Sequence, residues 1–288
     1  MRRLLALLLL TGLAGCASGT TPSDPPSGPA AVDEPQTYAI TEQALPAWAA
    51  FPVDRAPRPV VLLHPSEDPD TIGGSDPTGN AKTAALTGKL VLAAGLPRGP
   101  VSTPEGVPLL SAADAWAAVS RPRPEKAPGS TPTALTVTAV TLGTTKVDTD
   151  RGPRDLPAWI FTTDSVALAW PALAKSEIWA PEKTPTVGSS VGTAKVSGST
   201  VTVSLPKARQ GCPGSKVFRY EPEVRESATS VAVGLRTVVT DEVVPGAPPK
   251  EPCAHDMMLV MEEYQVTLAN PLGARVLVDN LGWPIAVA

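Results

Sequence analysis

The chain has 288 residues with 24 Lys and Arg against 28 Asp and Glu, a formal net charge of −4, and 34 Pro beside 23 Gly. An acidic balance argues against nucleic acid and anionic lipid surfaces as partners. With 42% hydrophobic but only 4% aromatic residues, the composition predicts a turn-rich globular protein with an Ala/Val/Leu core.

Arg2 and Arg3, the apolar run Leu4 to Leu10, and the small residues Gly12, Ala14 and Gly15 follow the order of an export signal over residues 1–15. The run is shorter than the roughly 18 apolar residues a membrane helix needs, and no later stretch approaches that length. A cysteine stands where cleavage would expose the mature terminus, and Leu13-Ala14-Gly15-Cys16 resembles the lipobox of bacterial lipoproteins. The resemblance implies that the Cys16 thiol carries a diacylglycerol and that the membrane is a partner through that lipid, at the extracytoplasmic face. Two acyl chains, at about 0.8 kcal/mol per buried methylene, give lasting attachment. Loss of Arg2 and Arg3 with the signal leaves 22 basic against 28 acidic residues. Residues 16–37 are rich in Pro, Ser, Gly and Thr without hydrophobic periodicity, which predicts a disordered tether with a coil reach of about 25 Å.

An N-terminal α+β subdomain is expected over residues 38–121, with strands at Arg58 to Leu63 and Leu86 to Ala93. Between them, Asp68, Asp70, Asp76 and Asn80 offer oxygen atoms to a cation but lack the ligand order and closing Glu of an EF-hand loop. "SAADAWAAV" predicts a helix: Ser111 is its N-cap, Asp114 completes an acidic capping pair, and Leu110 is placed to pack near Ala115. Pro122 and Pro124 stop it, and the Pro-rich piece 122–133 reads as a linker. Residues 134–288 read as a β-rich domain with strands at Leu135 to Leu142, Trp159 to Thr163, Thr200 to Leu205, Ser230 to Thr240, Leu259 to Leu268 and Arg275 to Val278. In the third of these Val201, Val203 and Leu205 alternate with Thr200, Thr202 and Ser204, the pattern of a half-buried strand. The fold class is therefore α+β, rich in mainly antiparallel sheet with few short helices, in one or two subdomains. "LPAW" occurs at Leu45 and again at Leu156; a duplicated unit with Trp48 and Trp159 in equivalent positions and a chance repeat both account for it.

With Cys16 given to lipid, Cys212 and Cys253 form an even pair in an oxidising compartment and are expected to make one disulfide. Gly188-Ser-Ser-Val-Gly192 matches the G-x-S-x-G pattern of serine hydrolases, and Ser190, Asp241 and His255 supply a triad in sequence order. The expected helix after the serine is missing from the pattern, so no catalytic residue is assigned. His64 and His255 have no second ligand at helical spacing, and adjacent Glu262 and Glu263 would face opposite sides of a strand. No cofactor, metal site or enzyme activity is expected.

"FPVDRAPRPVVLL", "DRGPRDLPAWIF" and "VTLANPLGARVLVDN" resemble segments of uncharacterised secreted and lipid-anchored proteins of GC-rich Gram-positive bacteria, a resemblance that implies no activity. Three readings remain: a non-catalytic envelope lipoprotein that binds another envelope protein or a polymer, a secreted serine hydrolase, and a solute-binding protein of a transporter. The last usually needs alternating strands and helices in two lobes.

Overall fold

The computed structural model describes residues 37–63, 69–74, 79–123, 132–182, 192–209, 211–246 and 259–288. Among these residues the fold is strand-rich with two short α-helices, and each of the three sheets they form is mixed. No described helix is long and apolar enough to cross a membrane.

The first sheet contains β1 (Asp70–Gly74), β2 (Leu90–Leu92), β3 (Leu135–Thr149), β4 (Gly152–Thr163) and β5 (Val166–Pro171) in the order β1-β5-β4-β3-β2. The pairs β1–β5, β4–β5 and β3–β4 are antiparallel, and β2 lies parallel to the first residues of β3. Helices α1 (Asn80–Thr87) and α2 (Ala112–Val119) pack on one face over Val137, Val140, Trp159, Phe161 and Leu168. Ser111 caps α2 as its sequence predicts: its hydroxyl oxygen accepts from Asp114 N–H at 3.1 Å and donates to Asp114 Oδ2 at 2.6 Å. Leu110 and Ala115 join the same cluster.

One expectation is corrected here. The strand expected from Leu86 begins inside α1, because Ala81, Ala84 and Ala85 bury one helical face and Gly88 closes the helix with φ +70° before β2 starts at Leu90. β2 and β3, which precede and follow residues 122–133 in the sequence, pair within one sheet.

The second sheet has the order β10-β7-β6-β12, from β6 (Thr193–Ser197), β7 (Thr200–Pro206), β10 (Met261–Thr267) and β12 (Ala286–Val287). The third has the order β11-β9-β8, from β8 (Lys216–Glu226), β9 (Ser230–Val243) and β11 (Val276–Val278). The short strands β12 and β11 are parallel to β6 and β9. Val201, Val203 and Leu205 bury the face that their alternation predicts, against Val231, Val233 and Leu235 of the third sheet.

The run Ser230–Leu235 is buried without alternation because both of its faces are covered. Ala232 turns away from the sheet pair toward Ile40, Ala44, Trp48 and Phe51 of the N-terminal segment. Gly234 permits that contact: a Cβ there would come within 2.7 Å of Ile40 Cγ1 and 2.8 Å of the Tyr38 carbonyl. Residues 37–63 therefore pack with the C-terminal strands and not only with the residues that follow them. In Arg58 to Leu63 the expected strand reduces to bridges at Val60 and Leu62.

Candidate functional site

Three distant stretches converge on one aromatic cleft. Pro46–Trp48 is a 3-10 turn whose Trp48 is fully buried and donates from Nε1 to the Gly282 carbonyl at 2.9 Å. Trp179 comes from the segment after β5, fixed by exchange with Val60: Val60 N–H donates to Glu177 at 2.8 Å and Trp179 N–H to Val60 at 2.9 Å. Trp283 and Pro284 come from the turn after β11. The ring centroids of Trp48 and Trp179 lie 4.8 Å apart, and Phe51 meets Trp179 edge-on at 5.3 Å. Val61, Ile178 and Pro181 complete the wall.

A carboxylate shapes the Trp283 side. Asp279 Oδ1 accepts from the N–H groups of Leu281 and Trp283 at 2.8 and 2.9 Å, while Asp279 N–H donates to the Trp283 carbonyl. Burial pushes its pKa up, and the backbone donors of Trp283, Leu281 and Gly282 oppose that shift. Gly282, at φ +96°, brings its backbone so near Ala44 that a Cβ would sit 3.2 Å from it.

Beneath the cleft lies a polar clasp. Arg58 reaches both oxygens of Asp150, at 3.2 and 2.5 Å, and donates from Nε to the Ala274 carbonyl at 2.9 Å. Its guanidinium carbon stands 4.8 Å from the Phe51 ring centroid. Arg151 donates to the carbonyls of Gly273 and Arg275 and lies 3.6 Å from Asp150. Burial, then the neighbouring Arg58 charge, lower the Arg151 pKa, with Asp150 acting against them. Arg55 secures the next turn through Glu177 at 2.7 Å. The clasp joins residues of the three segments 51–63, 150–161 and 266–280.

The cleft offers indole faces, aliphatic side chains and proline rings, and the described residues that line it include no ionisable side chain. Its chemistry is contact and stacking. The indole N–H of Trp283 is buried and has no hydrogen-bond partner among the described residues. Sequence reasoning singled out Trp48 through the LPAW repeat but did not find Trp179 or Trp283, whose meeting depends on sequence separations of more than a hundred residues.

The other expected positions do not assemble there. Asp241 is exposed on the far part of β9, and Ser190 and His255 lie outside the described residues. Asn80 is used structurally, accepting from Thr133 N–H at 2.8 Å and donating to its carbonyl at 3.3 Å; Asp68, Asp76 and His64 lie outside the described residues. Among the described residues no group of three or more His, Cys, Asp or Glu is placed to hold a metal. Glu262 and Glu263 pair separately with Lys207 and Lys195, at 4.0 and 3.5 Å. The two LPAW copies adopt different structures, a 3-10 turn and a strand. Both tryptophans are buried, and Trp159 donates to the Leu110 carbonyl at 2.8 Å. Cys212 stands in the turn before β8, where its carbonyl accepts from Ser215 N–H and Oγ at 2.9 and 2.6 Å. Cys16 and Cys253 lie outside the described residues. No protein-family model, curated protein or solved structure matches the chain.

Proposed function

We propose that the chain is a lipid-anchored module of the bacterial cell envelope, held at the extracytoplasmic face through Cys16, that binds an envelope protein or polymer without transforming it. The observation that carries the binding role is the cleft: half-buried Trp179 and Trp283 beside buried Trp48, on a frame fixed by the Arg58–Asp150 clasp and the Asp279 turn. Preformed apolar walls on rigid supports favour association because little side-chain freedom is lost on binding. The anchor rests on the spacing Leu13-Ala14-Gly15-Cys16, and residues 16–37 serve as the tether. We read the supporting frame as chiefly antiparallel, its long ladders β3–β4, β8–β9 and β7–β10 carrying short parallel additions at their edges.

The test uses the full chain in intact cells, with a photoreactive amino acid at position 283 or, as control, at position 101, whose valine is 83% exposed. A discrete adduct is expected from 283 alone and is lost on Trp179→Ala. Equal labelling from both positions refutes a binding role for the cleft. Cys16→Ser is expected to abolish incorporation of labelled fatty acid; unchanged labelling and membrane retention refute the anchor.

A further inference from the structure

Strand β3 is fifteen residues long, yet on the side away from β4 its neighbours among the described residues stand only at its ends. At one end β2 pairs with Leu135 to Val137, and the N–H groups of Ala93 and Ala94 both donate to the Val137 carbonyl, at 3.0 and 3.2 Å. At the other end Leu62 bridges Thr149, and Leu63 N–H donates to the Asp148 carbonyl at 3.1 Å. Between these two closures a lane runs open, among the described residues, along residues 139–147.

The register fixes which backbone groups face that lane. In an antiparallel ladder alternate residues turn both N–H and C=O toward the partner strand, and the residues between turn both away. The Asp148 carbonyl points into the lane, since Leu63 bonds it there. Pro157, opposite Thr144, turns its carbonyl the other way, to Ala172 N–H at 2.7 Å. Thr144 and Pro157 are thus a pair without mutual hydrogen bonds. By the same alternation Val140, Leu142, Thr144 and Lys146 present N–H and C=O to the lane, and none of these groups bonds a described residue. Leu142, Thr144 and Lys146 are exposed.

We propose that this lane takes up an extended peptide segment of another envelope protein as an added strand, by backbone pairing with Val140, Leu142, Thr144 and Lys146. The proposal rests on the reading of the chain as a binding module and names one kind of partner for it. The closures decide against a second copy of the chain: a partner β3 of fifteen residues would run into β2 at one end and Leu62 at the other. About nine residues, roughly 30 Å at strand rise, fit between them. Lys146 is the sole charged side chain over 139–147, which favours an acidic residue at that end of the peptide. The other side chains of the lane are aliphatic, Thr or Gly, so apolar and β-branched peptide residues suit the rest.

Amide exchange of the full chain followed by NMR tests the lane itself. Amides of Val140, Leu142, Thr144 and Lys146 are expected to exchange freely and those of Thr141, Gly143, Thr145 and Val147 to be protected; protection of both sets in the free protein overturns the proposal. Eight-residue peptides selected from a random display library on the same protein then serve as the probe. A selected peptide is expected to protect the four free amides. Backbone N-methylation at alternate peptide positions should weaken it by about tenfold or more, while methylation at the intervening positions leaves it nearly unchanged. Thr144→Pro should abolish binding without removing a β3–β4 hydrogen bond, and Thr144→Lys serves as a second variant if the proline substitution prevents folding. Peptides that bind without protecting these amides, or a library that yields none, overturn strand addition. Either result leaves the binding-module reading to the crosslinking from position 283.

Discussion

Asp279 and Glu226 show how two carboxylates in one fold acquire opposite pH signatures. Asp279 is 7% exposed, and its pKa is raised above the ordinary 3.8 because burial outweighs its backbone hydrogen bonds. The folded state then binds a proton at pH values where the unfolded chain has released it. Its contribution is fully present below the unfolded pKa and is lost as pH rises through the raised one. Burial also pushes Glu226 up, but donation from Ala269 N–H and Arg275 wins, so its pKa is lowered and its contribution is lost as pH falls through that lowered value. Asp279→Asn keeps the Oδ1 acceptor for Leu281 and Trp283. Chemical denaturation at stepped pH is expected to show equal or greater stability at neutral pH and no remaining slope from this group above pH 3.8; a marked loss at neutral pH contradicts the account. Asp150 is a different case, 2% exposed and charge-paired. Arg58→Met leaves its carboxylate with only the longer Arg151 contact, and a loss of about 3–5 kcal/mol is expected by denaturant titration. Arg58→Lys should recover part of it, since an ammonium cannot reproduce the two-pronged contact.

At the scale of elements, β4 explains where sequence patterns mislead. "GPRDLPAWIF" contains two prolines, which argue against an interior strand, and the predicted strand accordingly begins only at Trp159. In the fold β4 starts at Gly152. Pro153 and Pro157 stand opposite Asp148 and Thr144 in pairs that exchange no hydrogen bonds with β3, so neither ring removes a ladder bond. Moving the proline by one residue should not be tolerated. Ala158→Pro deletes a bond to Gly143 and is expected to cost about 3 kcal/mol or more, whereas Pro157→Ala should change stability by less than about 1 kcal/mol. Thermal unfolding of the two variants checks this, and equal losses would contradict the register. Helix α1 was illegible for a related reason: its alanines are weakly apolar, and they gain a buried face only once β3 lies beneath them. The Ser111 cap and the alternation in β7 were legible because each is a local interaction, complete within a few residues.

At the scale of the whole molecule the chain is interleaved. Residues 37–63 cover the outer face of β9, Trp179 leans on Trp48, and the last strand, β12, pairs with β6 while Val287 N–H reaches the Asp150 carbonyl. Such long-range closure ties the cleft to global stability, so loss of the clasp should loosen Trp179 and Trp283 as well. The expected Cys212–Cys253 disulfide would close a loop of about 42 residues and add roughly 4 kcal/mol in the chain-entropy description. Non-reducing peptide mapping of the full chain is expected to join the peptides that hold these residues; two free thiols would contradict it.

By itself the amino-acid order determined the capped helix, the alternating face of β7 and the strand-rich class, because those follow from hydrogen bonds and side-chain periodicity within a short window. Only the tertiary structure decided that β2 pairs with β3, that two prolines fit inside β4, and that three tryptophans from three regions share a cleft. Those outcomes depend on which strand lies beside which and in what register. A sequence window holds no record of a neighbour more than a hundred residues away.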